Sequence, residues 1–320
     1  MRPSSPAPPS LGDRFLGSLL GLALGDAACA PFEGVHATAI WYDFGGAQKI
    51  LSNHPVAELA CTDDTHMSIG VAEELIDHGT IDPGRLCRRF AAHYDPSRGY
   101  GPGTRRILET FRNTDHGDWM SLATSVYPDG SLGNGAAMRA APVGLFFCND
   151  LDRVIIEVER SALPTHTHPI GIDGARVIAT AVALAAACES FDSGSFYEEL
   201  VRRAQTDEFR RQLARAAELG PTDSIGEFGN SLEANRSVTT AVACFTMSPG
   251  SYLGTIASAL ALGGDVDTLA AMAGAISGAL LGIGALPSSL LAKLEEGPLG
   301  RTFLLDLARR LYDRASARSA

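Results

Sequence analysis

The chain has 320 residues, 45% hydrophobic and 20% charged, with a formal net charge of -11. That length can bury a large core, and the acidic balance excludes the basic footprint of non-specific nucleic-acid or anionic-membrane binders. Six scattered cysteines (Cys29, Cys61, Cys87, Cys148, Cys188, Cys244) form no C-x-x-C pair, which argues against a zinc site and for reduced thiols in a cytoplasmic setting.

In chain order, Met1 to Ser10 is rich in Pro and Ser and lacks the apolar stretch of a signal peptide, so it reads as a disordered tail. Leu11, Phe15, Leu19 and Leu22 then step at helical spacing, with Gly17, Gly21 and Gly25 lining a close-packing side. Pro31 to Ala60 reads as a long loop in which Ala39 to Phe44 is the best short strand candidate. After Thr62-Asp63, the helical pattern Met67, Val71, Leu75, Ile76 runs to a stop at His78-Gly79. Further long loops are expected at Asp95 to Thr104, Asp115 to Asn134 and Gly220 to Asn235. Core helices are expected at Ile172 to Cys188, Val238 to Phe245, Tyr252 to Leu262, Thr268 to Leu281 and Thr302 to Tyr312. Leu269 to Leu286 carries no charge and raises the transmembrane question. Its Ala/Gly content, with Gly274, Gly278 and Gly282 at G-x-x-x-G spacing, reads better as a buried core helix, and no other segment reads as membrane-spanning. The expected fold is all-α: one compact multi-helical domain over residues 11–320, with no nucleic-acid or membrane partner and a monomeric state.

Two acidic runs carry most of the chemical information, Thr62-Asp63-Asp64-Thr65 and Gly264-Asp265-Val266-Asp267-Thr268. Each stands where a helix begins, so each alone reads as an N-cap. A cap needs one oxygen, however, and each run offers several. If the fold joins them, a pair of carboxylates about 4 Å apart repels by roughly 4 kcal/mol at an effective dielectric near 20. A hard divalent cation such as Mg²⁺ would relieve that. Glu33, in a stretch broken by Pro31, is either an exposed loop glutamate or a mobile acid/base at the site edge. Asp26, after a small-residue helix, reads as a helix-end or supporting group. The loops Gly130-Ser131-Leu132-Gly133-Asn134-Gly135 and Gly99-Tyr100-Gly101-Pro102-Gly103 are ordinary turns or backbone cradles for phosphate. Thr165-His166-Thr167-His168 is a polar helix entry or a ligand-binding segment. No G-x-S-x-G elbow supports a serine hydrolase.

Together these stretches, in this order, resemble the ADP-ribosylglycohydrolase superfamily: Gly17 to Asp26, Glu33, Thr62 to Thr65, Gly133 to Arg139, Thr165-His166 and Gly263 to Thr268. Asp95 to Gly101 is more similar to the serine-ADP-ribosylhydrolase branch than to the arginine-specific one. The resemblance implies two Mg²⁺ ions held at helix N-termini by Thr62, Asp63, Asp64, Asp265, Asp267 and Thr268, with Glu33 as the mobile catalytic carboxylate. It implies that Asp63, Gly99, Tyr100 and Gly101, the segment Asp129, Gly130, Ser131, Leu132, Gly133, Asn134 and Gly135, and His166 and Leu232 contact ADP-ribose. Val266 replaces the threonine usual between the two aspartates. Leu132 and Val126 stand where the serine branch carries aromatics, a loss that Tyr127 would offset. The implied reaction is hydrolysis of the C1″ bond joining ADP-ribose to a protein or peptide side chain, serine preferred, releasing ADP-ribose. The rivals are an arginine-linked or small-conjugate hydrolase, and a catalytically silent ADP-ribose binder.

Overall fold

The computed structural model describes residues 8–113, 119–220 and 223–319. Among them lie seventeen α-helices. The first seven are α1 (Leu11–Cys29), α2 (Ala37–Tyr42), α3 (Ala47–Ser52), α4 (Asp63–His78), α5 (Pro83–His93), α6 (Pro102–Asn113) and α7 (Trp119–Val126). Then come α8 (Ala141–Phe146), α9 (Leu151–Ala162), α10 (Pro169–Ala187), α11 (Ser193–Arg203) and α12 (Asp207–Ala217). The series ends with α13 (Val238–Thr246), α14 (Tyr252–Ala261), α15 (Val266–Leu281), α16 (Ser288–Leu291) and α17 (Arg301–Ser319). Among the described residues there is no sheet, only isolated bridges such as His36 with Gly263.

The centre of the fold is the antiparallel pair α1 and α15. A Cβ added at Gly17 would lie 2.4 Å from Gly278 O, one at Gly21 2.6 Å from Gly274 O, and one at Gly25 2.2 Å from Ala270 O. Only glycine permits backbones this close, so the two glycine stripes are the two halves of one contact. Its register has a functional consequence: the end of α1, at Asp26, meets the start of α15. A capping box between Ser10 and Asp13 fixes the other end of α1. Leu20, Leu24, Leu269, Ile276 and Phe15 sit in the apolar core around this pair.

The core-helix reading of the Leu269 segment holds, since α15 is buried almost throughout. Two other stretches, Leu11–Phe32 and Pro169–Ala187, are long and apolar enough to cross a membrane by length and composition, which the sequence reading had not singled out. Most of each is buried against its neighbours, as in the core of a helical bundle. The strand expected at Ala39 to Phe44 is instead α2, capped by the His36 side chain, which accepts from Thr38 N–H. Trp41, Tyr42 and Phe44 are exposed and only Ile40 is buried, so no pairing surface exists there for a strand. The loop expected over Pro31 to Ala60 likewise holds α2 and α3, and that at Gly220 to Asn235 holds two 3-10 turns. The Asp115 to Asn134 loop holds α7, and its first residues lie outside those described. The same is true of Met1 to Ala7 in the expected tail, whereas Ser10 belongs to the α1 cap.

Candidate functional site

The start of α4 is built so that its acidic side chains are not needed to cap its backbone. A helix leaves its first four N–H groups without intrahelical partners. Here Asp63 N–H donates to Arg98 O at 2.7 Å, and the first intrahelical bond runs from His66 N–H to Thr62 O. Asp64 N–H donates to the Thr62 hydroxyl, and Thr65 N–H to Asp26 Oδ2 at 3.3 Å. Asp26 also accepts Thr62 N–H at 3.0 Å and the Thr65 hydroxyl at 2.5 Å. A carboxylate from the end of α1 therefore caps α4 from outside. The capping explanation for Asp63 and Asp64 fails, because other groups already do that work.

The start of α15 is brought to the same point. Gly263 and Gly264 take φ of 65° and 76°, and a Cβ at either would lie within 2.6 Å of the opposing backbone. Gly34 N–H donates to Gly264 O at 2.8 Å and Gly264 N–H to Val35 O at 3.1 Å, which pins the Glu33 loop beside Asp265. Asp265 Oδ2 accepts from Asn134 Nδ2 at 2.6 Å, and Asp265 makes no side-chain cap. The two acidic runs touch directly: the Thr268 hydroxyl donates to Asp64 Oδ2 at 3.4 Å across 204 positions of sequence.

These groups line one cavity of about 390 Å³, which holds Glu33, Asp63, Asp64, Asp265 and Asp267 and, among the described residues, no lysine or arginine. Glu33, Asp265 and Asp267 each direct an oxygen to within 4.8 Å of the others. Burial, then repulsion from Asp26, pushes the Asp63 carboxyl up to about 8. Burial, then Asp265 and Glu33, pushes Asp267 up to about 9. Asp64 is held well above the usual carboxylate range by burial and by Asp26, and Glu33 is raised by burial and by Asp265. Asp64 Oδ1 and Asp267 Oδ1 are buried without a hydrogen-bond partner among the described residues. An oxygen-only donor set with orphaned, mutually repelling carboxylates fits a hard divalent cation.

Of the residues expected to contact substrate, the cavity gathers Asp63, Gly99, Tyr100, Gly101, Ser131, Gly133, Asn134, Gly135, His166 and Leu232. Asp129, Gly130 and Leu132 do not line it. Gly130 turns against the Thr167–His168 backbone, where a Cβ would lie 2.2 Å from His168 N, and Asp129 beside it is exposed. The Leu132 side chain is 39% exposed while its carbonyl accepts from Ala234 N–H. The Asn134 amide is committed to Asp265 and Ser237. Tyr127, Thr104, Met138 and Thr165 line the cavity as well, and of these the sequence had pointed to Tyr127 and Thr165. Asn230 was missed: its side-chain amide donates to Leu262 O and Gly263 O, and its backbone carbonyl takes Asp265 N–H. No local pattern marks that role.

The model of the ADP-ribosylglycohydrolase family matches residues 7–320. The chain is 33% identical to ADP-ribosylhydrolase ARH3 of Danio rerio, over 96% of this chain and 92% of that protein. It is 32% identical to ADP-ribosylhydrolase ARH3 of Homo sapiens, over 86% of this chain and 87% of that protein. A solved structure described as an ADP-ribosylglycohydrolase-related protein complex superposes with a TM-score of 0.71 at 27% identity, covering 95% of this chain and 99% of that one. The chain thus belongs to the ADP-ribosylglycohydrolase family and is a glycosyl-bond hydrolase.

Proposed function

We propose that this protein is a Mg²⁺-dependent ADP-ribosylhydrolase that cleaves the C1″ glycosidic bond between ADP-ribose and a protein side chain, serine preferred. The observation that carries the reading is the meeting of Asp64 with Thr268 beside Glu33, with the helix caps supplied by other groups. Thr62, Asp63, Asp64, Asp265, Asp267 and Thr268 would hold two magnesium ions, which would offset the carboxylate charge and polarise the ribose hydroxyls and a water.

The chain's own groups do the rest. Cleavage of a glycosidic bond develops oxocarbenium character at the anomeric carbon, so a nucleophilic water needs a base and the leaving oxygen an acid. Glu33 sits at the rim on a loop ending in Gly34, at φ 74° with open space around it. Burial and Asp265 raise its pKa, the direction that helps a carboxyl hold a proton for a leaving group. Asn134 and Asn230 hold Asp265 in place from two sides. With no lysine or arginine lining the cavity among the described residues, backbone N–H groups of the Gly99 and Gly133 loops and the His166 ring would meet the pyrophosphate. The Tyr127 ring, lying on Gly103 and 40% exposed, offers a face for the adenine. The reading includes a cytoplasmic, monomeric enzyme that needs no nucleic acid.

Release of ADP-ribose from serine-linked and arginine-linked peptides, each in Mg²⁺ and in EDTA, tests the proposal. Metal-dependent release from the serine-linked peptide is expected. Exclusive cleavage of the arginine linkage would overturn the choice of substrate, and no release from either would overturn the activity.

A further inference from the structure

Arg139 is fully buried and has no carboxylate partner among the described residues. Its Nη1 donates to Gly135 O at 2.9 Å, and its Nη2 to Ser161 O at 2.9 Å and to the Thr165 hydroxyl at 2.8 Å. The Phe90 ring lies under the guanidinium, 4.8 Å from its carbon. A buried cation held by neutral oxygens, the Met67 sulfur and an aromatic face, with no counter-charge beside it, is costly to take from water. Thr165 Oγ1 lies in turn 2.7 Å from His166 Nδ1.

Proton accounting along this chain gives a single direction. A guanidinium only donates, and a hydroxyl has one hydrogen to give. Thr165 Oγ1 spends a lone pair on Arg139, and its other partner among the described residues is His166 Nδ1. The oxygen's second lone pair could instead accept an Nδ1–H, but that would leave the buried hydroxyl hydrogen without a partner among the described residues. The pairing that satisfies every group sends the hydrogen to Nδ1 and puts the ring proton on Nε2. That edge of the ring faces the glycine loop: added Cβ atoms at Gly133 and Gly135 would each lie 3.4 Å from Nε2. Burial and Arg139 lower the ring's pKa to about 3, so it stays neutral.

We propose that Arg139 and Thr165 are positioning residues that lock His166 as an Nε2–H donor facing an anionic, phosphate-bearing ligand. The relay brings the influence of a positive charge to a cavity lined, among the described residues, by five carboxylates and no lysine or arginine. The inference rests on the reading that His166 meets the ADP-ribose pyrophosphate.

The test uses the full chain with Mg²⁺. Long-range ¹⁵N–¹H correlation of histidine-labelled protein, with His166 assigned from the spectrum of H166Q, reads the tautomer without ligand. Calorimetry reads ADP-ribose affinity. Wild type should show a single Nε2–H tautomer. Thr165→Val should mix the two tautomers and weaken ADP-ribose binding about tenfold, while Thr165→Ser should keep both properties. A ring protonated at Nδ1 in wild type would overturn the relay, as would wild-type affinity in Thr165→Val or failure of Thr165→Ser to preserve it. Absence of ADP-ribose binding to wild type would overturn the proposed function and the ligand side of this inference, while the ligand-free tautomer still decides the relay.

Discussion

Asp267→Asn should stabilise the metal-free protein and destabilise the metal-loaded one. Asp267 is 5% exposed, its Oδ1 has no partner among the described residues, and burial with Asp265 and Glu33 lifts its pKa from 3.8 to about 9. A carboxyl whose folded pKa is raised contributes stability that is complete below pH 3.8 and is lost as pH climbs toward 9. Within that window the loss runs at about 1.4 kcal/mol per pH unit. An asparagine does not titrate, so in EDTA the variant should gain on wild type by about 3 kcal/mol between pH 6 and pH 8. For a chain of this size that corresponds to about 5 °C in melting temperature. In millimolar Mg²⁺ the order should reverse, because on the proposed reading wild type would bind the ion and the variant would lack a ligand. Thermal melts of both proteins at pH 6, 7 and 8, with EDTA and with Mg²⁺, provide the assay. A variant that melts below wild type in EDTA at pH 8, or a gap that does not widen with pH, would refute the reasoning.

The other predictions concern separate parts of the account. Glu33→Gln should bind ADP-ribose normally and lose turnover by about a hundredfold or more; a rate close to wild type would remove Glu33 from the chemistry. Asp26→Ala takes away the acceptor for two N–H groups and the Thr65 hydroxyl. It should weaken Mg²⁺ binding about tenfold by calorimetry, since each orphaned buried donor costs about 1–3 kcal/mol, and unchanged affinity would contradict its bracing role. Gly278→Ala places a Cβ 2.0 Å from Gly17 O, and despite alanine's better helix propensity it should cost on the order of 3 kcal/mol in denaturant unfolding. A loss below about 0.5 kcal/mol would mean that α1 and α15 separate freely.

Helices with a strong apolar period were legible in the sequence, because burial of one face leaves its mark on local spacing. The pattern Met67, Val71, Leu75 located α4, and the left-handed Gly79 ended it. Both glycine stripes, on α1 and α15, were visible, yet nothing in either said that it faced the other. That pairing is what carries Asp26 to the acidic runs, so convergence of the site lay beyond local pattern. The α2 segment misled because Trp41 and Tyr42 suit a strand by residue type, while their exposure and the His36 cap make a short surface helix. In the glycine-rich loop, the family resemblance implied that every residue from Asp129 to Gly135 meets ligand. The structure divides it, because Gly130 is needed for close approach to His168 and not for the cavity. Arg139 appeared only as the end of a motif, and its burial among neutral oxygens is a tertiary fact.

The most direct test of the proposed metal centre is anomalous diffraction from crystals soaked in Mn²⁺, a stand-in for Mg²⁺ with a similar taste for oxygen ligands. Two peaks between the Thr62–Asp64 and Asp265–Thr268 segments, with Glu33 beside them, are expected. A protein that hydrolyses ADP-ribosyl peptides while showing no peak there, or peaks only elsewhere on its acidic surface, would contradict the account.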